Sequence, residues 1–134
     1  KMPVIADDSG LTIEQLNDEP GVYSARYAGE NCTYDDNNNK VLKELKDFDP
    51  PHKSKFLCCA VYYDGKNYLS SLGELPGQIT REFKGANGFG YDPIFKPEGF
   101  DISLAEMSVD EKNSISHRGR AFRALKEKMV ELVK

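Results

Sequence analysis

A long apolar and β-branched segment followed by a tight-turn signal limits the folds open to this chain most strongly. Residues 55–63 read Lys-Phe-Leu-Cys-Cys-Ala-Val-Tyr-Tyr, a composition typical of a buried strand. Asp64-Gly65 follows directly, and this dipeptide is a strong signal for a hairpin turn. We therefore expect residues 55–63 to pair with a strand over residues 67–72.

The other expected strands are short. The first runs over residues 3–6, stops at Asp7-Asp8-Ser9-Gly10 and resumes over residues 11–13. Another covers residues 78–83, set apart from the preceding strand by Pro76-Gly77, and a further one covers residues 94–96. Proline and glycine are the residues that most often interrupt strands. The strands are therefore expected to be mostly antiparallel neighbours.

Three helix starts are indicated by capping boxes, in which Ser or Thr precedes an acidic residue by three positions. They lie at Thr33, Ser103 and Ser108. Pro50-Pro51 ends the first helix. Apolar residues at helical spacing mark the buried faces: Val41, Leu42, Leu45 and Phe48 in the first helix, and Phe122, Leu125, Met129, Leu132 and Val133 in the last. Strands and helices together predict an α/β fold with a mixed central sheet.

Length and composition limit the class of protein. The chain has 134 residues, which fits one domain over residues 1–134. Its longest apolar run, residues 56–63, is far shorter than a bilayer span, and no leader opens the sequence. The three cysteines include no C-x-x-C pair, so free thiols are expected rather than disulfides or zinc. These features favour a cytoplasmic protein without membrane contact.

Charge is unevenly distributed. The net charge of −4 argues against a nucleic-acid binder. Residues 1–111 carry 11 basic and 20 acidic side chains, whereas residues 112–134 carry 7 and 2. Residues 112–134, the C-terminal segment, therefore carry a net charge of +5, whereas residues 1–111, the body, carry a net charge of −9. The C-terminal segment could face a small anionic ligand, although a solvated helix surface explains the same pattern.

The first candidate site is Asp7-Asp8-Ser9-Gly10. Successive side chains of a strand point to opposite faces, so one carboxylate at most enters a given cleft. A carboxylate there can bind Mg²⁺ and position a water, and Ser9 can donate to a phosphate. A polar turn at the end of a strand explains the four residues equally well.

The second candidate is the glycine-dense loop over residues 85–93. Its spacing matches neither a dinucleotide-binding fingerprint nor a P-loop. Phe89 stands between glycines and is followed by Tyr91 and Asp92. Glycine allows close backbone approach, and an aromatic face can stack on a base. The alternative is that Phe89 fills the core.

The third candidate comprises Lys112, His117 and Arg118. Lysine and arginine only donate hydrogen bonds, so a pocket that they line selects a ligand edge rich in acceptors. A 6-keto purine presents O6 and N7 as acceptors, whereas adenine presents an amino donor. Such a pocket would exclude adenine. A surface lysine beside a capping His-Arg pair is the plainer interpretation.

In this order, four motifs resemble the inosine/xanthosine triphosphate pyrophosphatase family, in its bacterial type. They are Ala6-Asp7-Asp8-Ser9-Gly10-Leu11, the segment from Pro20 to Tyr27 (Pro-Gly-Val-Tyr-Ser-Ala-Arg-Tyr), the segment from Gly88 to Phe95 (Gly-Phe-Gly-Tyr-Asp-Pro-Ile-Phe), and Glu111-Lys112-Asn113 followed by Ser116-His117-Arg118-Gly119. The resemblance covers essentially the whole chain.

The resemblance implies a two-lobed α/β fold with a cleft, a homodimer, and Mg²⁺-dependent hydrolysis of deaminated purine nucleoside triphosphates (ITP, dITP, XTP) to monophosphate and pyrophosphate. Asp8 would be the catalytic and metal-binding residue. The residues implied to bind substrate are Ser9, Phe89, Gly90, Tyr91, Asp92, Lys112, His117 and Arg118.

This sequence departs from the family at its start. Family members carry a strand, a Gly-Asn-Lys phosphate-gripping motif, a helix and an acidic metal ligand before the Asp-Asp-Ser-Gly segment, which here begins at residue 7. We therefore expect the chain to lack the N-terminal strand and helix, to expose a sheet edge, and to be weakly active or inactive alone. The alternatives are a non-catalytic nucleotide-binding or dimerisation module, a hydrolase with another base preference, and a purely structural domain.

Overall fold

The computed structural model describes residues 3–132. Five strands form one sheet in the order β2-β1-β3-β4-β5, and each neighbouring pair runs antiparallel. The α/β class predicted from the sequence is confirmed. The strands are β1 (Val4–Ile13), β2 (Glu19–Gly21), β3 (His52–Tyr63), β4 (Tyr68–Ile79) and β5 (Phe95–Pro97), and the helices are α1 (Tyr34–Glu44), α2 (Val109–Ile115) and α3 (His117–Leu132).

The predicted hairpin is confirmed and is longer than expected. β3 and β4 pair along their whole length, from His52 opposite Ile79 to Tyr63 opposite Tyr68. The Asp64 carboxylate closes the turn by accepting hydrogen bonds from the backbone N–H groups of Lys66 and Asn67, at 2.9 and 2.6 Å. These two bonds stabilise the charged carboxylate and lower the pKa of Asp64.

The expected interruption of the first strand at residues 7–10 is wrong. β1 continues through the Asp-Asp-Ser-Gly segment because each of these residues pairs with one of β3, from Asp7 opposite Ala60 to Gly10 opposite Leu57. Pairing along a neighbouring strand outweighs the low strand propensity of these residue types. Gly10 is required by a close approach, since a Cβ there would lie 2.8 Å from the Gly21 carbonyl oxygen.

The expected interruption at Pro76-Gly77 is also wrong, and the strand predicted over residues 78–83 ends early. β4 runs unbroken to Ile79. The Pro76 carbonyl accepts a hydrogen bond from Glu98 N, 2.9 Å away on the side of β5, so the proline nitrogen faces that side and the β3–β4 ladder loses no donor. Beyond Ile79 the Thr80 hydroxyl donates to the Glu82 carbonyl at 2.7 Å and turns the chain away.

One face of the sheet is covered and the other is open. On the covered face, α3 packs on β3 and β4 over a small cluster of Cys58, Ala60, Ala121 and Leu125. The main core lies beside it and contains Leu11, Ile13, Val41, Leu45, Phe56, Leu75, Ile79, Tyr91, Ile94, Phe95, Leu104 and Met107. On the opposite face Val4, Tyr63, Tyr68 and Leu72 are exposed. We call this face the outer face.

The three predicted capping boxes are confirmed at Thr33, Ser103 and Ser108. The first and third open α1 and α2, whereas the second opens a single 3-10 turn, Leu104–Glu106. Phe48 lies beyond the end of α1 and is exposed, as is Leu132. Val133 falls outside the described residues. Within residues 3–132, no helix is long and apolar enough to cross a bilayer.

Candidate ligand site

The glycine-dense loop over residues 85–93 is joined to α2 through Asp92 and Lys112. Lys112 Nζ donates to Asp92 Oδ2 at 2.5 Å and lies 4.1 Å from the centroid of the Phe89 ring. The same carboxylate oxygen accepts from Phe89 N at 3.0 Å. Both charged side chains are largely buried, with 15% of Lys112 and 6% of Asp92 exposed. The pair therefore fixes the loop and the ammonium group together.

Glycines allow the loop to fold tightly over its neighbours. Gly85 and Gly88 have positive φ, and a Cβ at either would lie within 2.5 Å of Ala105 or Asp92. Gly90 also has positive φ, yet no atom lies within 4 Å of a Cβ built there. Phe89, between the last two, is 61% exposed. The ring therefore does not fill the core, and its open surroundings leave it available to a ligand.

Tyr91 anchors the same loop from the inside. Its side chain is buried, and its hydroxyl donates to the Ser24 carbonyl at 2.5 Å. Burial, followed by the nearby charge-bearing groups Tyr27 and Cys32, raises the pKa of Tyr91 well above its ordinary value. The phenol therefore stays a neutral donor. It ties the loop to the segment over residues 20–27, one of the four motifs that carry the family resemblance.

His117 and Arg118 open α3, as predicted. Ser116 caps the helix by accepting from Gly119 N at 3.0 Å. The His117 ring stacks on Phe56 with centroids 4.8 Å apart, and its Nδ1 is buried without a hydrogen-bond partner in the described structure. Burial, and secondarily the charges of Lys112 and Arg118, lower the pKa of His117 to about 4. The imidazole is therefore neutral near pH 7.

The side chains of Asp7 and Asp8 on β1 point to opposite faces of the sheet, as strand geometry requires. Asp7 faces α3, where Arg118 Nε and Nη2 lie 3.0 and 3.3 Å from its two carboxylate oxygens. Ser9 points to the same side and lies opposite Cys58 on β3. Asp8 is exposed on the outer face, opposite Cys59. The described contacts thus join Asp7, not Asp8, to the cluster at the start of α3.

Few side chains in this region could coordinate a metal ion. Among residues 3–132, no three His, Cys, Asp or Glu side chains are grouped closely enough to hold an ion. Asp8 is exposed and Asp7 is paired with Arg118. Mg²⁺ is commonly held by one or two protein carboxylates together with substrate phosphates. A single free carboxylate fits that arrangement.

One contact of this site, Asp7 with Arg118, and one residue, Gly73, carry no local sequence signal. Asp7 is 111 positions from Arg118 in the chain, and only the pairing of β1 with β3 brings it to α3. Gly73 lies under α3, where a Cβ would come 2.0 Å from the His117 carbonyl oxygen. Strand alternation predicts that Asp7 and Asp8 face opposite sides of the sheet, but it does not identify Arg118 as the partner of Asp7.

Fold and site together define a class of protein. It is an α/β protein with an antiparallel sheet, a helix across one face, and a cluster of aromatic and cationic side chains where a glycine-dense loop meets α2, close to the start of that helix. Comparison with known proteins makes this specific. The Ham1 family model matches residues 1–128, and the chain therefore belongs to the Ham1 family. The family resemblance expected from the four motifs is confirmed.

Two of the curated relatives that match this chain have the same name. The chain is 49% identical over 126 residues to a "dITP/XTP pyrophosphatase" of Caldanaerobacter subterraneus, covering 92% of this chain and 62% of that protein. It is 50% identical over 133 residues to a protein of the same name from Bacillus cereus, covering 96% of this chain and 64% of that protein. The chain thus spans less than two thirds of the length of these relatives.

Solved structures share the fold. A HAM1 protein from Coxiella burnetii superposes with a TM-score of 0.91 at 42% identity, covering 97% of this chain and 68% of that one. The Ham1 protein of Staphylococcus aureus superposes with a TM-score of 0.90 at 40% identity, covering 98% and 68%. The arrangement of strands and helices described above is therefore that of the family.

Proposed function

We propose that the chain recognises deaminated purine nucleotides and takes part in hydrolysing ITP, dITP or XTP to the monophosphate and pyrophosphate. The observation that carries this proposal is the contact of the exposed Phe89 ring with the Lys112 ammonium group, close to the start of α3, where His117 and Arg118 lie. The names of the relatives support the same activity.

The hydrogen-bond donors of the proposed pocket determine which purine base it selects. Phe89 offers a ring face on which any base can stack, so it provides affinity without choice. Lys112, on α2, and Arg118, at the start of α3, carry only N–H donors. A hypoxanthine or xanthine O6 accepts from them, whereas the adenine N6 amino group would place donor against donor. Gly90, Tyr91, Asp92 and His117 complete the pocket in this proposal.

Asp8 is the proposed catalytic carboxylate, with Ser9 next to the phosphates and Mg²⁺ as cofactor. When bound, the ion supplies positive charge that offsets the charge of the phosphates. Asp8 would orient a water and accept its proton as the anhydride between the α- and β-phosphates breaks. The exposed position of Asp8 leaves it free for this role, because no other described group occupies its carboxylate.

Recognition and hydrolysis are tested separately. Calorimetric titration of the 134-residue chain should show binding of inosine monophosphate and much weaker binding of adenosine monophosphate. Phe89→Ala should lower the first affinity about tenfold, through lost stacking of about 1–3 kcal/mol. Tyr34→Ala, which removes an equally exposed ring from the start of α1, is the matched control. Equal affinity for both nucleotides would overturn the proposed recognition.

Hydrolysis is measured by pyrophosphate release from ITP with Mg²⁺, under single-turnover conditions at high protein concentration. The Caldanaerobacter relative, of which this chain covers 62%, serves as reference. Asp8→Asn should lower the rate, and chelation of Mg²⁺ should abolish it. An unchanged rate in Asp8→Asn would contradict the proposed role of Asp8.

A non-catalytic nucleotide-binding module remains the second candidate. It is favoured by the contacts of the loop over residues 85–93, where Phe89 and Lys112 could hold a base without any metal-assisted chemistry. Selective binding of inosine monophosphate with no pyrophosphate release, even at high protein concentration, would decide for it.

We also propose that the protein is a homodimer. The outer face supports this, because Val4, Tyr63 and Tyr68 are 47–64% exposed and lie next to one another in register. Light scattering after size-exclusion chromatography measures the mass, and Tyr68→Asp should shift it to the monomer if this face is the contact. A mass of 15.1 kDa for the unaltered chain would contradict the proposal.

A cytoplasmic location is proposed on the chemistry of the cysteines. Cys32, Cys58 and Cys59 are all free thiols, as proteins of reducing compartments usually carry them. Fractionation of the source cells with an antibody against the chain would test this.

A further inference from the structure

Asp7 holds the arginine of the proposed base pocket in one orientation. Arg118 Nε lies 3.0 Å from Asp7 Oδ2, and Nη2 lies 3.3 Å from Oδ1. This is a two-point contact between a planar guanidinium and a planar carboxylate, the geometry that fixes both position and tilt. Arg118 is 60% exposed whereas the Asp7 side chain is 22% exposed, so the carboxylate is the fixed partner.

The carboxylate is itself held by the sheet. Asp7 pairs with Ala60 in the β1–β3 ladder, and the thiol of Cys58 on the neighbouring strand donates to Asp7 Oδ2 at 3.8 Å. Arg118 is limited from its other side by the Phe122 ring, whose centroid is 5.8 Å from the guanidinium carbon. The guanidinium therefore lies between a rigid strand and the first turns of α3.

The contact with Asp7 determines which N–H groups of Arg118 remain available to a ligand. A guanidinium has five N–H groups, and Asp7 takes the one on Nε and one on Nη2. The three left over, both on Nη1 and the second on Nη2, lie on the edge away from β1. A neutral side chain at position 7 would let the guanidinium turn and present any of its donors, and the fixed edge would be lost.

We propose that Asp7 is a specificity-determining positioning residue, which sets through Arg118 the preference for a 6-keto over a 6-amino purine. The inference rests on the proposed function. It gives the first aspartate of the Asp-Asp-Ser-Gly segment a role separate from that of Asp8: Asp7 acts on base choice from the covered face of β1, and Asp8 on the phosphates from the other.

The experiment measures binding of inosine and adenosine monophosphates by calorimetry without metal, so hydrolysis does not enter. Asp7→Asn should weaken inosine monophosphate binding about tenfold and leave adenosine monophosphate binding nearly unchanged, within the range that a fixed bidentate donor contributes to base discrimination. Arg118→Ala should have the same effect, and the double variant should be no worse than Arg118→Ala alone. Glu74→Gln, which removes a carboxylate from the exposed Lys55–Glu74 pair on the same sheet, is the matched control.

Arg118→Lys provides the second variant, because it keeps the charge on an exposed side chain and cannot make the two-point contact. It should lose the preference for inosine monophosphate while the thermal midpoint stays within a few degrees of that of the unaltered chain. An unchanged preference in Asp7→Asn or in Arg118→Lys, or additive losses in the double variant, would overturn the inference. If the unaltered chain itself shows no preference, the proposed function fails instead, so the two failures are distinguishable.

Discussion

The Asp92 carboxylate is 6% exposed, and the Lys112 ammonium that neutralises it is 15% exposed. Removing one charge of such a pair leaves the other buried and unpaired, which typically costs about 3 kcal/mol. Asp92→Asn should therefore lower the free energy of unfolding by about 3 kcal/mol in urea titrations. Glu82→Gln removes a carboxylate from the exposed Lys84–Glu82 pair and should cost less than about 1 kcal/mol. Equal losses would show that burial of the pair is unimportant.

His117 gives the molecule a pH dependence whose sign follows from burial. Its pKa is lowered from 6.5 to about 4 in the folded state, so between these values the unfolded chain binds more protons than the folded one. The free energy of unfolding should fall as the pH drops from 6.5 towards 4, by up to about 1.4 kcal/mol per pH unit, and His117 should have no effect above pH 7.

The measurement compares urea unfolding at pH 7 and pH 5 for the unaltered chain and His117→Asn, in which the difference should shrink. His52 is a second contributor of the same sign, because burial, followed by the charge of Arg81, lowers its pKa too. His52→Asn therefore separates the two histidines. A pH dependence unaltered by His117→Asn would contradict the role of its burial.

Single residues were predictable where the chemistry is local. Lys112, His117 and Arg118 were inferred as one cluster from a short stretch of sequence, and the structure places them at the end of α2 and the start of α3. The glycines on either side of Phe89 singled it out, and the structure leaves its ring exposed rather than in the core, while its role in binding stays a prediction. The Asp7–Arg118 contact could not be found this way, since it depends on where β1 pairs and how α3 crosses the sheet.

Among the elements, α3 depends on one glycine for its distance from the sheet. A Cβ at Gly73 would lie 2.0 Å from the His117 carbonyl oxygen and 2.4 Å from Ala121 N, and both are backbone atoms that cannot rotate away. Gly73→Ala should force α3 off β4 and lower the free energy of unfolding by about 2–3 kcal/mol. It should also weaken inosine monophosphate binding, because His117 and Arg118 move with the helix.

The control is Ser71→Ala, on the same face of the same strand two residues earlier. The Ser71 hydroxyl is buried without a partner in the described structure, so its removal should be nearly neutral. Urea unfolding and calorimetry on both variants provide the check. A Gly73→Ala variant as stable as Ser71→Ala would mean that α3 tolerates displacement.

Elements fixed by neighbouring residues were predicted well, and elements fixed by distant ones were not. The β3–β4 turn and the capping boxes depend on side chains within three residues of the backbone groups that they bind. The continuity of β1 through Asp-Asp-Ser-Gly depends on β3, 51 positions away at the Asp7–Cys58 contact. Propensity alone therefore placed two breaks, at residues 7–10 and 76–77, where tertiary pairing maintains the strand.

For the whole molecule, the separation of charge between a −9 body and a +5 C-terminal segment predicts how binding responds to salt. The site contains Lys112 and Arg118 from that segment, so the phosphate of a nucleotide is drawn to it by long-range attraction. Raising NaCl from about 50 to about 500 mM shortens the screening length severalfold. Inosine monophosphate binding should weaken severalfold, whereas that of uncharged inosine should change little. Equal salt effects on both ligands in calorimetry would contradict this attraction.

The two adjacent cysteines on β3 also provide a chemical probe of how often α3 detaches from the sheet. Cys58 is fully buried beneath α3, against Ala121 and Leu125, whereas Cys59 is exposed on the outer face. Burial raises the pKa of the Cys58 thiol and keeps it in the unreactive protonated form. An alkylating reagent therefore reaches Cys59 at once and Cys58 only when α3 leaves the sheet. The rate of that slower alkylation is a direct measure of how often the helix carrying His117 and Arg118 detaches.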